Sequence, residues 1–189
     1  MKLKKVTKKG NYGYFTDRKR TSILITVLMF ALCFLIYGLA YHHYGTNKNY
    51  FTLAAVFLIL PSSRYAVNMI MFLRTRECSA KAAQAIDAVA AGLCCGYDYY
   101  LTDEHHNYPV CHISVRGHAV AGYTESEKFL EKECIEHMQD IFRDNGFPDM
   151  TVKIFRDLSK YTERMNQLQK LDENGKEEKV LDLIGHISL

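Results

Sequence analysis

At 189 residues the chain holds one medium-sized domain and a little more, and its net charge of +3 conceals a sharp partition. Residues 1–20 carry eight Lys/Arg against the single acid Asp17, residues 21–76 carry no Asp or Glu, and residues 77–189 carry 20 acids against 12 Lys/Arg, a net −8. That balance excludes nucleic acid as a partner of the acidic part, which repels a phosphate backbone, whereas the basic leader suits anionic lipid.

After the basic leader, residues 23–41 (ILITVLMFALCFLIYGLAY) are almost wholly apolar and uncharged. At ~1.5 Å per residue they form a helix close to the ~30 Å thickness of a bilayer's hydrocarbon. The long basic leader, the length of the apolar run and a poor cleavage site at Gly38-Leu39-Ala40 argue for a retained span rather than a signal peptide. A second run, residues 50–73, is equally long but is interrupted by Pro61, Ser62, Ser63, Arg64 and Asn68. The spans are expected at about residues 22–42 and 50–73, inside a membrane segment of residues 21–74.

Arg64 stands ten positions before Arg74, which puts it ~15 Å inside the second span. A charge at that depth costs several kcal/mol, of order 2.5–3.5 on insertion scales. Asn68 is four residues further on and shares its helix face. Arg64 and Asn68 thus form a polar stripe, which either docks against the first span, another protomer or a partner membrane protein, or snorkels past a kink at Pro61. The short linker YHHYGTNKNY carries one Lys and has tyrosines at both ends, as an interfacial belt does. Eight Lys/Arg precede the first span, and Arg74, Arg76 and Lys81 follow the second. The positive-inside rule therefore places both termini in the cytoplasm, with residues 1–20 as a cytoplasmic tail and residues 77–189 as a cytoplasmic domain. In that reducing compartment Cys78, Cys94, Cys95, Cys111 and Cys134 are expected as thiols, and Cys33 lies in the membrane.

In the domain, residues 79–95 form an Ala-rich helix ended by Gly96, and residues 97–101 read as a strand. Residues 102–109 read as a polar loop, and residues 110–123 alternate, with Cys111, Ile113 and Val115 opposite His112, Ser114 and Arg116. Gly117 is either a bulge in one long strand or the turn of a hairpin. Thr124 with Glu127 forms a capping box for a helix whose stripe is Leu130, Cys134, Met138 and Ile141, with Phe129 and Phe142 beside it, stopped by Asn145-Gly146. Residues 150–155 form a further strand. Asp157 caps a helix with the stripe Leu158, Tyr161, Met165 and Leu168, and residues 179–189 are an apolar tail, helix or strand. The fold class is a two-helix transmembrane hairpin plus a small cytoplasmic α/β (α+β) domain in the order α-β-β(-β)-α-β-α.

The chemistry-bearing residues are mainly histidines. His105, His106, His112 and His118, with Cys111 nearby, carry zinc-ligand chemistry, so zinc is the one cofactor worth weighing. On a continuous strand His112 and His118 share a face; across an Arg116-Gly117 hairpin they oppose one another, and Cys111 opposes His112 in both cases. No ligand-spacing pattern, phosphate loop, nucleophile elbow or HExxH motif is present, so solvated loop and sheet-surface histidines are the simpler reading. Adjacent Cys94-Cys95 could be a redox or acylation pair, but they follow an apolar helix, so burial of at least one is the simpler reading.

The element order helix–strand–strand–strand–helix–strand resembles the core of the PD-(D/E)xK nuclease family. That resemblance implies a metal-binding acid at the start of the second strand and an acid-x-Lys triplet on the third. Those places read Asn107-Tyr108-Pro109-Val110 and Val120-Ala121-Gly122-Tyr123, with neither carboxylate nor lysine to hold divalent metal or stabilise charge. The expectation is a non-catalytic, membrane-anchored interaction or regulatory module whose partners are membrane lipid and another protein or a second copy, not nucleic acid. A metal-dependent enzyme using the histidine group, or an accessory subunit of a transporter, stands as the alternative.

Overall fold

The structure is a computed structural model that describes residues 9–46, 48–103 and 105–189. The chain divides into two units. One is Phe15–Thr75; the other joins residues 9–14 to Arg76–Leu189.

The first unit is a helical hairpin of α1 (Tyr14–Tyr44) and α2 (Tyr50–Arg74), both long and apolar enough to cross a membrane by length and composition. Large apolar side chains such as Phe34, Leu39, Phe57 and Leu60 are exposed along them, which a water-soluble core helix would bury. α1 starts at Tyr14, within the basic leader, because nothing between there and the apolar run breaks a helix. Asn49 caps α2 by accepting from the Thr52 amide at 2.8 Å. Small side chains let the two helices approach: Ala55 and Ser62 of α2 are buried, as are Thr26, Cys33 and Ala40 of α1. The Thr26 hydroxyl donates to the Tyr65 carbonyl at 3.1 Å, and Cys33 Sγ lies 3.5 Å from Ser62 Oγ. Beside Pro61, the Ser62 and Ser63 hydroxyls donate to the Leu58 and Leu60 carbonyls at 2.7 Å each, so both hydroxyls are satisfied within α2.

The second unit is α+β. In chain order it contains α3 (Ala80–Asp87), β1 (Cys94–Thr102), β2 (Asn107–Arg116), β3 (Ala119–Tyr123), α4 (Glu131–Asp144), β4 (Thr151–Phe155), α5 (Leu158–Leu168) and α6 (Glu177–Ile187). The sheet runs β1-β2-β3-β4, antiparallel for the first two pairings and parallel between β3 and β4, which α4 connects. α4 and α6 cover one face over Leu101, Tyr108, Ile113, Val120 and Ile154. α3 and α5 cover the other over Tyr97, Cys111, Ala121 and Tyr123.

Several local expectations are corrected. The helix expected over residues 79–95 stops at Asp87, and Cys94, Cys95 and Gly96 belong to β1. A Cβ on Gly96 would stand 2.3 Å from the Tyr99 hydroxyl, so this glycine makes room for a ring rather than ending a helix. The Thr124 box caps nothing, because its hydroxyl donates to the Pro109 carbonyl at 2.6 Å and α4 begins only at Glu131. Phe142, not Ile141, completes the buried stripe of α4 with Cys134 and Met138. The strand reversal is a two-residue Gly117-His118 turn, in which Arg116 faces Ala119 and Gly117 takes a left-handed φ of 57°. The tail resolves into α6, and Ser188 then bridges to Leu101.

Asp157 caps α5 as expected, accepting from the Ser159 and Lys160 amides at 2.8 and 3.2 Å. Asp157→Ala should lower the stability of the domain by about 1 kcal/mol, read as a shift in the urea midpoint at unchanged slope.

Candidate functional site

The four histidines are not brought together. His105 and His106 lie in the loop between β1 and β2, where their backbone amides donate to Asp103 Oδ1 and the Tyr108 hydroxyl donates to Oδ2 at 2.6 Å. The Tyr108 hydroxyl, then the two amides, hold the Asp103 carboxyl well below the usual carboxylate range. His118 sits in the turn at the other end of β2, a strand of 10 residues, roughly 30 Å long at a strand's rise. Among the described residues no three His, Cys, Asp or Glu side chains are grouped to hold a metal ion. On the third strand, where the nuclease resemblance asks for an acid and a lysine, the chain is packed tightly: a Cβ on Gly122 would lie 2.6 Å from Ile154 Cδ1 and 3.3 Å from Val110 Cγ1.

His112 is fully buried between the sheet and α5. Its Nδ1 lies 2.7 Å from the Tyr161 hydroxyl, which is 2.6 Å from Ser114 Oγ. Its ring also meets Tyr97 edge-on at 4.4 Å, and the Tyr97 hydroxyl donates to Asp87 Oδ1 at 2.6 Å. Among the described residues Nε2 has no hydrogen-bond partner. Burial brings the His112 pKa down to about 3 and pushes the Tyr161 hydroxyl well up, so both are neutral at physiological pH. With His112, Ser114 and Tyr161 all sealed from solvent, the trio can order α5 on the sheet but cannot exchange a proton with a substrate.

Contrary to the alternation expected from sequence, Cys111 and His112 reach the same face of the sheet. Cys111 packs among the residues under α3 and α5, where His112 meets Tyr161. Across from them on β1, Asp98 is buried in a left-handed backbone at φ 60°, so Tyr97 and Tyr99 fall on opposite faces although two positions apart. The Cys78 thiol is hydrogen-bonded to Cys111, which with burial pushes its pKa up. Burial likewise raises Cys94, to about 11, and Cys95, so the adjacent pair carries protonated, weakly nucleophilic thiols. All six cysteines are free.

On α2, Arg64 and Asn68 are exposed. Ser62 faces α1, and two residues further on the helix has turned by about 200°, so the stripe points away from the hairpin partner. The first span is therefore not what Arg64 and Asn68 dock against.

Sequence reading missed a strap. Residues 9–13 run along the open edge of β1: the Tyr97 amide donates to the Gly10 carbonyl at 2.8 Å, and the Gly13 amide to Asp98 Oδ2 at 3.0 Å. The Tyr12 hydroxyl donates to the Cys78 carbonyl at 3.2 Å, its ring packs edge-on against Tyr97, and the Lys9 ammonium donates to the Ser188 carbonyl. Between strap, β1 and α6 opens a cleft of about 510 Å³, within the ~300–1,000 Å³ usual for small-molecule sites. Gly10 and Gly13, both at positive φ, were the only signal in the basic leader that the chain turns there rather than continuing as helix.

Compared with protein-family models, curated proteins and solved structures, the chain matches none.

Proposed function

We propose that this chain is a membrane-anchored, non-catalytic interaction module. In this reading α1 and α2 cross the bilayer as a hairpin, both termini and the α+β domain lie in the cytoplasm, and the outward stripe of Arg64 and Asn68 binds a helix of another membrane protein. The observation that carries it is the division of polar groups on α2. Ser62 and the Tyr65 carbonyl serve the contact with α1, while Arg64 and the amide of Asn68 point outward.

The partner's chemistry follows from the sequence. Residues 21–76 hold no Asp or Glu, so a second copy brings to Arg64 no carboxylate from its spans, and a two-fold contact sets one Arg64 near the other. A helix bearing an Asp or Glu at mid-depth satisfies the guanidinium. The strap supports this topology: residues 9–14 pack with Arg76–Leu189, as they would if both ends of the hairpin lay in one compartment. The excess of Lys/Arg on both flanks favours the cytoplasm for that compartment.

Arg64→Leu is expected to abolish co-purification of the partner in mild detergent and to leave the domain's circular dichroism unchanged; undiminished recovery defeats the proposal. If instead Arg64→Leu disperses an oligomer of the chain alone, the partner is a second copy and the acid-bearing helix is wrong. A Thr46→Cys variant places a thiol in the linker between α1 and α2, and impermeant maleimide should label it from outside intact cells. Labelling only after permeabilisation would reverse the assigned orientation.

A further inference from the structure

Of the six free thiols, those of Cys78 and Cys111 are hydrogen-bonded to one another. Cys78 comes from the connector of residues 75–79, which forms neither helix nor strand between α2 and α3, and Cys111 from the middle of β2. Both are buried, packed with Tyr97 and Tyr123 on the face that α3 and α5 cover. The other four cysteines are placed apart. Cys33 of α1 meets Ser62, and Cys134 lies in the core on the opposite face of the sheet. Cys94 and Cys95 are adjacent on β1, where successive side chains point to opposite faces.

A single buried cysteine serves as a small apolar filler. Two in contact from separate segments have a chemistry that neither has alone, because an oxidised sulfur beside a second thiol is captured as a disulfide. While the connector is docked, the hydrogen bond to Cys111, burial and the Glu125 and Asp98 carboxylates keep the Cys78 thiol protonated and unreactive. What holds the connector down is slight. The Tyr12 hydroxyl donates to the Cys78 carbonyl at 3.2 Å, and the Ser79 amide and hydroxyl donate to the Glu125 carboxylate at 3.2 and 2.6 Å, all at part-buried or exposed sites. Arg76 and Ser79 are exposed on either side, and α3, which follows, has only eight residues, too few to be stable without its packing. Lifting residues 76–79 brings Cys78 to solvent, whereas Cys111 stays fixed in the sheet.

We propose that Cys78 and Cys111 form a peroxide-responsive disulfide pair, with Cys78 the attacking sulfur once the connector lifts and Cys111 the resolving one. The Cys78 thiol loses its proton and its sulfur attacks one oxygen of hydrogen peroxide. The O–O bond breaks, the departing hydroxide takes up that proton as water, and a sulfenic acid remains. The Cys111 sulfur then attacks the Cys78 sulfur, the S–O bond breaks, and hydroxide leaves with the Cys111 proton as a second water. The two thiols together give up two electrons, and one peroxide becomes two waters. The new bond staples the segment that follows α2 onto the sheet, so oxidation ends the connector's freedom. A dithiol reduces the bond and restores it.

The test uses the full chain in detergent micelles, purified reduced and treated with hydrogen peroxide before the remaining thiols are alkylated. Peptide mass mapping is expected to show loss of alkylation at Cys78 and Cys111 together and a cross-linked peptide lighter by two hydrogens, both undone by dithiothreitol. Hydrogen exchange at residues 76–79 should slow in the oxidised chain. Cys111→Ala should leave Cys78 as a sulfenic acid that dimedone labels, and Cys78→Ala should leave Cys111 unlabelled. Cys111→Ser and Cys78→Ser repeat the comparison should an alanine variant fail to fold. The proposal is overturned if Cys134, also fully buried, is oxidised as fast as Cys78, if peroxide links other cysteines first, if exchange at residues 76–79 is unchanged by the bond, or if Cys111→Ala leaves Cys78 unlabelled. Arg64 takes no part in this chemistry, so failure here leaves the hairpin reading standing, and failure of the Arg64→Leu test leaves this one.

Discussion

Tyr161→Ala should remove about 3–5 kcal/mol of folding stability, the usual cost of deleting a fully buried aromatic ring. Tyr161→Phe should remove about 1–3 kcal/mol, because it keeps the ring but leaves two buried polar groups without their partner. Tyr161 is fully buried on α5, and its ring stacks on Tyr123 at 5.5 Å and lies 6.0 Å from Phe155. Its hydroxyl is the common neighbour of His112 Nδ1 and Ser114 Oγ and also lies 3.5 Å from the Ala121 carbonyl. The chain has no Trp, so urea unfolding is best followed by far-UV circular dichroism. A Tyr161→Phe variant as stable as the parent would show that the hydroxyl contributes nothing. A cycle with Ser114→Ala should give a coupling of about 0.5–3 kcal/mol, the range for residues in one network.

Acid should destabilise the domain well before its carboxylates protonate. His112 is held neutral down to about pH 3 by burial, whereas in the unfolded chain an ordinary histidine takes up a proton near pH 6.5. Between those values the unfolded state binds one more proton than the folded state, so stability falls as pH falls, by at most about 1.4 kcal/mol per pH unit from this group. Asp103, with its depressed pKa, adds a loss only lower, as pH falls below the ordinary carboxylate value near 4. The two windows separate the groups experimentally. His112→Gln should flatten the urea-midpoint profile between pH 6.5 and 4.5, although it costs stability at pH 7, and a profile parallel to the parent's in that window would sink the assignment.

What sequence makes legible here follows the range over which the physics acts. The long apolar runs, the helix capped by Asp157 and its stripe of Tyr161, Met165 and Leu168 are local patterns, and they form as read. Thr124 shows the limit of such patterns. Thr124 and Glu127 have capping-box spacing, but the Pro109 carbonyl lies within reach of that hydroxyl, and a contact between β2 and the end of β3 outcompetes a helix cap. Strand alternation failed at Cys111 for a similar reason, since the left-handed backbone that reverses the faces belongs to Asp98 on the neighbouring strand. The candidate sites divide in the same way. Arg64 and Asn68 are visible as charge and amide inside an apolar run, and only the packing of Ser62 against α1 tells which way they face. The strap and its cleft were invisible, because they join residues 85 positions apart in sequence through a glycine amide and a buried aspartate.

That separation also sets an order of events. The strap is synthesised before either long helix, yet its partners on β1 emerge only after both, so its pairing closes a loop of 85 positions and carries a correspondingly high entropic cost. The hairpins of β1, β2 and β3 close over short distances and can form without it. Residues 9–13 should therefore be the last piece to dock on folding and the first to leave on heating. A fragment beginning at Arg76 would fold around the same core but leave part of the β1 backbone edge bare, ready to pair with another such fragment.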